Sequence, residues 1–116
     1  MSGMQRKKIL FVFRRAPFDG NRPAELLDAA MMAAAFGQEV ELAFLDDGVF
    51  LFSADPQAMK ERFDELSDSD IDHIWVERDS LVERRLTLPA GPLPLDLLDR
   101  SELTRIIAGA DAVVSG

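Results

Sequence analysis

A chain of 116 residues and 12.9 kDa, 47% hydrophobic and 29% charged, has the composition of an ordinary globular protein and the length of one domain, read here as residues 1–116. Thirteen Lys and Arg against 21 Asp and Glu give a formal charge of −8, which repels phosphate backbones and anionic lipid, so neither direct nucleic-acid binding nor a membrane partner is expected. The absence of cysteine excludes thiol catalysis, covalent sulfur carriage, disulfides, thiolate zinc sites and iron-sulfur ligation by these residues.

The charge is unevenly placed. Arg6, Lys7, Lys8, Arg14, Arg15 and Arg22 face a single acid, Asp19, over positions 1–22, which leaves an anion or acidic-partner site open near the N-terminal third. Lys8-Ile-Leu-Phe-Val-Phe13 is a continuous apolar run, the pattern of a strand buried on both faces. It is far shorter than the roughly 18 residues of a membrane span, and Arg14 interrupts it, so a cytoplasmic protein without a signal peptide is expected.

A loop over 14–23 follows, punctuated by Pro17, Asp19-Gly20 and Pro23, with Asn21 or Arg22 at the cap of a helix that runs to about Phe36. Gly37 stands where a left-handed terminator belongs. Glu39 to Leu45 reads as a second strand, closed by a turn at Asp46-Asp47-Gly48 in which the glycine takes special dihedrals. Val49-Phe-Leu-Phe52 is too short for a full helix; core packing and a partner interface are both open for it.

Asp55-Pro56 starts a second helix, with Met59, Phe63 and Leu66 on one face. His73 to Glu77 is a third strand, and a short helical turn capped at Ser80 carries Leu81, Val82 and Leu86. Residues 87–95 read as a prolyl linker. Ser101 caps a last helix, 102–108, stopped by Gly109, and Ala112 to Ser115 forms the final strand. Strand and helix alternate four times, which predicts an α/β parallel sheet flanked by helices on both faces, with a ligand crevice beyond the carboxyl ends of the strands.

Three segments map to that crevice: 14–23, 46–52 and 77–80. The first turn has one glycine and no Gly-Lys pair, so dinucleotide and phosphate-loop chemistry are disfavoured, and no cofactor or metal is expected. Asp46 and Asp47 are adjacent acids whose side chains point apart, which favours a turn role over a catalytic pair. Arg14 and Arg15 could grip an anion or pair at an interface. His73, the only histidine, lies at the opposite end of its strand, so Ser80 has no base beside it.

The apolar strand running into Arg15-Ala-Pro-Phe18, the helix end Ala34-Ala-Phe-Gly-Gln-Glu-Val40, the turn Phe44-Leu-Asp-Asp-Gly-Val-Phe50, the stretch Trp75-Val-Glu-Arg-Asp-Ser-Leu-Val-Glu-Arg84 and the ending Ala110-Asp-Ala-Val-Val-Ser115 together resemble the TusC/DsrF family over nearly the whole chain. The resemblance implies a DsrEFH-like fold and a heterohexamer with TusB/DsrH-like and TusD/DsrE-like subunits, two copies of each. The sulfur-carrying cysteine then belongs to the TusD/DsrE-like subunit, near the strand end matching Ile74 to Glu77 here. This chain would be a non-catalytic subunit with no catalytic residues of its own, in a relay toward a TusE/DsrC-like carrier, serving tRNA wobble-uridine 2-thiolation or sulfur oxidation. Arg85 departs from the family, which usually has a glycine before the leucine at that turn.

On this reading Phe50, Leu51, Phe52 and Trp75 are expected at subunit contacts, and Arg14, Arg15 and Arg78 at an anion or partner contact. Two rivals belong to other classes: a small-ligand or anion-binding enzyme using Arg14, Arg15, Asp46 and Asp47 around the crevice, and a stand-alone homo-oligomer of the same fold.

Overall fold

Six apolar or half-apolar residues in a row make β1 (Lys8–Phe13), whose last four side chains are buried. It lies inside the sheet, paired in parallel with β2 (Glu39–Phe44) on one side and β5 (Ala112–Ser115) on the other, and helices packed on both faces of the sheet bury its side chains. The computed structural model describes residues 7–16, 20, 22–53, 64–66, 68–87 and 95–116. The sheet has five strands in the order β4-β3-β2-β1-β5, all parallel, with β3 at Ile71–Glu77 and β4 at Leu95–Leu98.

The expected four strands are thus five. Leu95, read as the end of a linker, opens β4, a strand of four residues with only its two ends half-buried. Such a short edge element has no readable period, and its pairing with Ile74 to Glu77 supplies what local pattern does not. The rest of the prolyl segment, 88–94, lies outside the described residues, as do 17–19, Asn21 and most of the expected second helix. Residues 64–66 of that helix are described and helical, with Leu66 buried.

Alternation sorts the strands' side chains to two faces. On one, Phe11, Phe13, Leu42, Phe44, Ile74 and Val76 pack under α1 (Arg22–Ala35), which contributes Leu26, Leu27, Ala30 and Ala34. Phe13 and Phe44 stack with ring centroids 4.6 Å apart, and Phe52 meets Phe44 edge-on at 5.0 Å. On the other, Leu10, Val12, Ala43 and Leu45 pack under Leu103 of the last helix. Gly37 ends α1 with φ 86°, its N–H bonded to Ala34 and that of Gln38 to Ala33, the paired bonds of a left-handed terminator.

Two helices begin and end differently from expectation. The helix after β3, α2, spans Arg78–Glu83 and follows the strand without a break, so Ser80 lies inside it, fully buried, and is not its cap. The last helix, α3, spans Arg100–Gly109 and is capped by Asp99, not Ser101. The Asp99 carboxylate accepts the Glu102 N–H at 2.8 Å while the Glu102 side chain accepts the Asp99 N–H, a reciprocal box that satisfies two backbone donors. The bond from the Glu102 amide, with the Ser101 hydroxyl, holds the Asp99 carboxyl below its ordinary pKa. Gly109 is helical and the chain leaves through extended Ala110, so no glycine terminator operates there.

Arg85 has φ 54°, with its N–H bonded to Val82 and that of Leu86 to Leu81. This is the terminator that glycine normally serves, occupied by a residue whose Cβ penalises it. The left-handed region costs an L-residue roughly 1–2 kcal/mol, partly offset by glycine's larger unfolded-state entropy. Arg85→Gly is expected to stabilise the chain by about 0.5–1 kcal/mol, read as an increased urea midpoint at constant slope. An unchanged or lower midpoint would show that Arg85 makes a compensating contact.

Candidate functional site

Parallel strands send the loops after β1, β2 and β3 to one edge of the sheet, and there the chain concentrates its buried polar groups. Glu77, the last residue of β3, is 2% exposed. Its Oε1 accepts the Ser80 hydroxyl at 2.6 Å and an Arg100 guanidinium N–H at 3.1 Å. The Ser80 oxygen in turn accepts the Asp46 backbone N–H at 2.8 Å. One hydroxyl therefore links the end of β2 to the end of β3, and one guanidinium ties both to the start of α3. Hydrogen bonds to Glu77 first, then to Glu83 at 2.7 Å, raise the Arg100 pKa and keep it charged.

The stretch after β2 is a 3-10 helix, Asp46–Ser53, in place of the expected turn. Its special dihedral falls on Asp46, at φ 51°, and not on Gly48. Gly48 is required for another reason: a Cβ there would overlap the carbonyl of Phe13. Asp46 and Asp47 point apart, as adjacent residues should, and each meets its own arginine. Asp46 accepts from Arg14 at 3.1 Å, and Asp47 accepts two N–H groups of Arg84 at 3.1 and 3.0 Å.

A cavity of ≈ 310 Å³ opens at this edge between β1, β5 and α3. Leu45, Leu103 and Ile107 give it an apolar floor, and Arg14, Asp46, Glu77 and Arg100 its charged wall. Two cations and two carboxylates balance, and each arginine already holds a carboxylate, so the wall has little left to attract an anion. Arg15 and Arg78 are exposed and do not line the cavity. Ser80, buried and donating to a carboxylate, is not presented to any reactant there. Among the described residues, no group of three His, Asp or Glu is placed to hold a metal.

The four residues expected at subunit contacts do not form one patch. Leu51 is buried in the core under α1, and Phe52 packs against the same core. Phe50 is half-buried, with the Arg84 guanidinium 5.9 Å from its ring centroid. Trp75 lies on the opposite face of the sheet. Its indole N–H donates to Glu41 at 2.8 Å, and His73 stacks on its ring at 4.7 Å. Glu41, 2% exposed, also has the Lys8 ammonium at 3.4 Å, and this carboxylate raises the Lys8 pKa.

Sequence reading singled out neither Glu77, Glu41 nor Arg100. An acid in line with the apolar residues of a strand is a usable signal for the first two, although Glu39 and Asp72 in the same strands weaken it, since a buried carboxylate needs donors from elsewhere. Nothing local marks Arg100, which reaches Glu77 across 23 positions.

Comparison with known proteins follows the same lines. The profile of the DsrE/DsrF-like family matches residues 7–115. The chain is 35% identical to the intracellular sulfur oxidation protein DsrF of Allochromatium vinosum, over 70% of this chain and 65% of that one, slightly under two thirds of its length. It is 32% identical to a TusC homolog of Pasteurella multocida, covering 93% of this chain and 98% of that one, and 37% identical to TusC of Klebsiella pneumoniae, covering 78% and 82%. The crystal structure of the ychN protein from E. coli has the same fold, with a TM-score of 0.75 at 16% identity over 95% of this chain and 99% of that one.

Proposed function

The chain belongs to the DsrE/DsrF-like family, and we propose that within it this protein is the cysteine-free supporting subunit of a multi-subunit sulfur relay, in which a TusD/DsrE-like companion carries the persulfide. The observation that carries this reading is that a chain similar to TusC along nearly its whole length has no thiol among its 116 residues. At the strand end where the resemblance puts the companion's cysteine, this chain has Glu77, Arg78, Asp79 and Ser80. The closed network of Glu77, Ser80 and Arg100 supports a structural role for that edge. The wider coverage of the TusC relatives than of the DsrF relative favours tRNA thiolation over sulfur oxidation as the destination.

Co-expression with TusB-like and TusD-like companions, followed by transfer of labelled sulfur to a TusE-like acceptor, tests the proposal. A stable complex whose transfer depends on this chain is the expected result, together with loss of 2-thiouridine from tRNA when the gene is deleted. Sulfur transfer by the purified chain alone, or no complex with either companion, would refute it.

Phe50 is the cleanest contact to test, because Leu51 and Phe52 serve the core and Trp75 satisfies Glu41. Phe50→Asp should abolish co-isolation with the companions while circular dichroism stays native. An aspartate there meets Arg84, which already sits over the ring. Normal co-isolation of this variant would remove Phe50 from the interface.

A further inference from the structure

The outer face of α1 ends in an apolar knob that the fold does not use. Phe36 is 80% exposed, more than any other large apolar side chain among the described residues, and Met32, one turn earlier on the same face, is 61% exposed. Ala29 and Ala35 beside them are exposed as well, so this half of the face carries no charge. A folded chain leaves single apolar residues wet routinely, but an aromatic and a methionine side by side make a contact element of the kind that anchors protein interfaces.

The segments that flank the knob in the chain carry acids. Glu25 and Asp28 are exposed on the same helix. On the other side of Gly37 a cavity of ≈ 680 Å³ runs between Ala34, Gly37 and Ser69 to Asp72, with Asp70 and Asp72 in its lining. Neither positions 23–46 nor positions 64–72 contain a Lys or Arg. An apolar anchor beside an acid-lined groove, with no cation in either segment, is complementary to a surface of opposite character.

We propose that the C-terminal half of α1 and the adjoining Asp70–Asp72 groove form a docking surface for a companion protein that presents an apolar socket edged with Lys or Arg. Phe36 enters the socket, Met32 adapts to its wall, and a cationic side chain enters the groove. The inference rests on the subunit reading above for the identity of the companions, while the surface itself follows from exposure and charge.

The full chain and its Phe36→Asp and Asp70→Asn/Asp72→Asn variants, each titrated against the purified companion subunits, test the proposal. Because Phe36 packs on little, Phe36→Asp should keep its thermal midpoint within about 2 °C and weaken association about tenfold or more. The Asn pair should bind more weakly at low salt and lose much of the wild-type salt dependence. Phe36→Ser, which adds no charge, should also weaken binding. Wild-type affinity in Phe36→Asp would overturn the surface while leaving the subunit reading intact; failure of the wild-type chain to bind any companion would overturn both. If Phe36→Asp instead disperses a homo-oligomer and leaves companion binding untouched, the surface belongs to a second copy and the proposal fails.

Discussion

Gly48→Ala is expected to lower stability by about 3 kcal/mol or more, and the thermal midpoint by about 10 °C. The added methyl would occupy the space of the Phe13 carbonyl, and backbone cannot rotate aside as a long side chain does. That carbonyl also accepts the Leu45 N–H at 3.1 Å, so displacing it breaks the last tie between β1 and the segment leaving β2. The 3-10 helix would have to move as a unit, taking with it Asp46, Asp47, buried Val49 and Leu51. Urea unfolding monitored by circular dichroism measures the loss. A change under about 0.5 kcal/mol, the size usual for surface sites, would show that the approach is looser than the geometry requires.

Ser80→Ala should cost about 2 kcal/mol, because it removes a bond to a buried carboxylate and leaves the Asp46 amide without its acceptor. Glu77 would keep its bond from Arg100, but that guanidinium is already engaged there and does not replace the lost hydroxyl donor. The damage is local in sequence but spans three elements: the 3-10 start, the β3 end and α2. A double-mutant cycle with Glu77→Gln separates this network from simple loss of packing. Coupling above about 0.5 kcal/mol is expected, and additivity within error would mean that the two residues act independently. If the carboxyl edge has the structural role proposed for it in the relay, Ser80→Ala should also slow sulfur transfer by the assembled complex.

The family and the α/β class were legible before any coordinates. The apolar run at Lys8–Phe13, the stretch from Glu39 to Leu45 that begins alternating and ends apolar, the helix ending at Gly37 and the spaced blocks around Leu45 and Trp75 each have a local signature. Resemblance joined them in the right order, and the matched family covers 7–115. Arg85 was visible as a departure at a turn, although only its φ of 54° shows why a glycine suits that place.

Local pattern set the elements it could set: the apolar strand at Lys8–Phe13, the helix that stops at Gly37, and the lack of any thiol among the 116 residues, which excludes thiol chemistry by them. Pairing and packing decided the rest. β4 exists because β3 offers it an edge, and Ser80 became a buried link because α2 starts at Arg78, two residues before it. Glu77 found Arg100, and Trp75 parted from Phe50, through contacts that cross 23 or more positions. A residue's own neighbours encode its backbone preference, whereas the partner of a buried charge and the face on which a ring lands depend on which distant strands lie alongside.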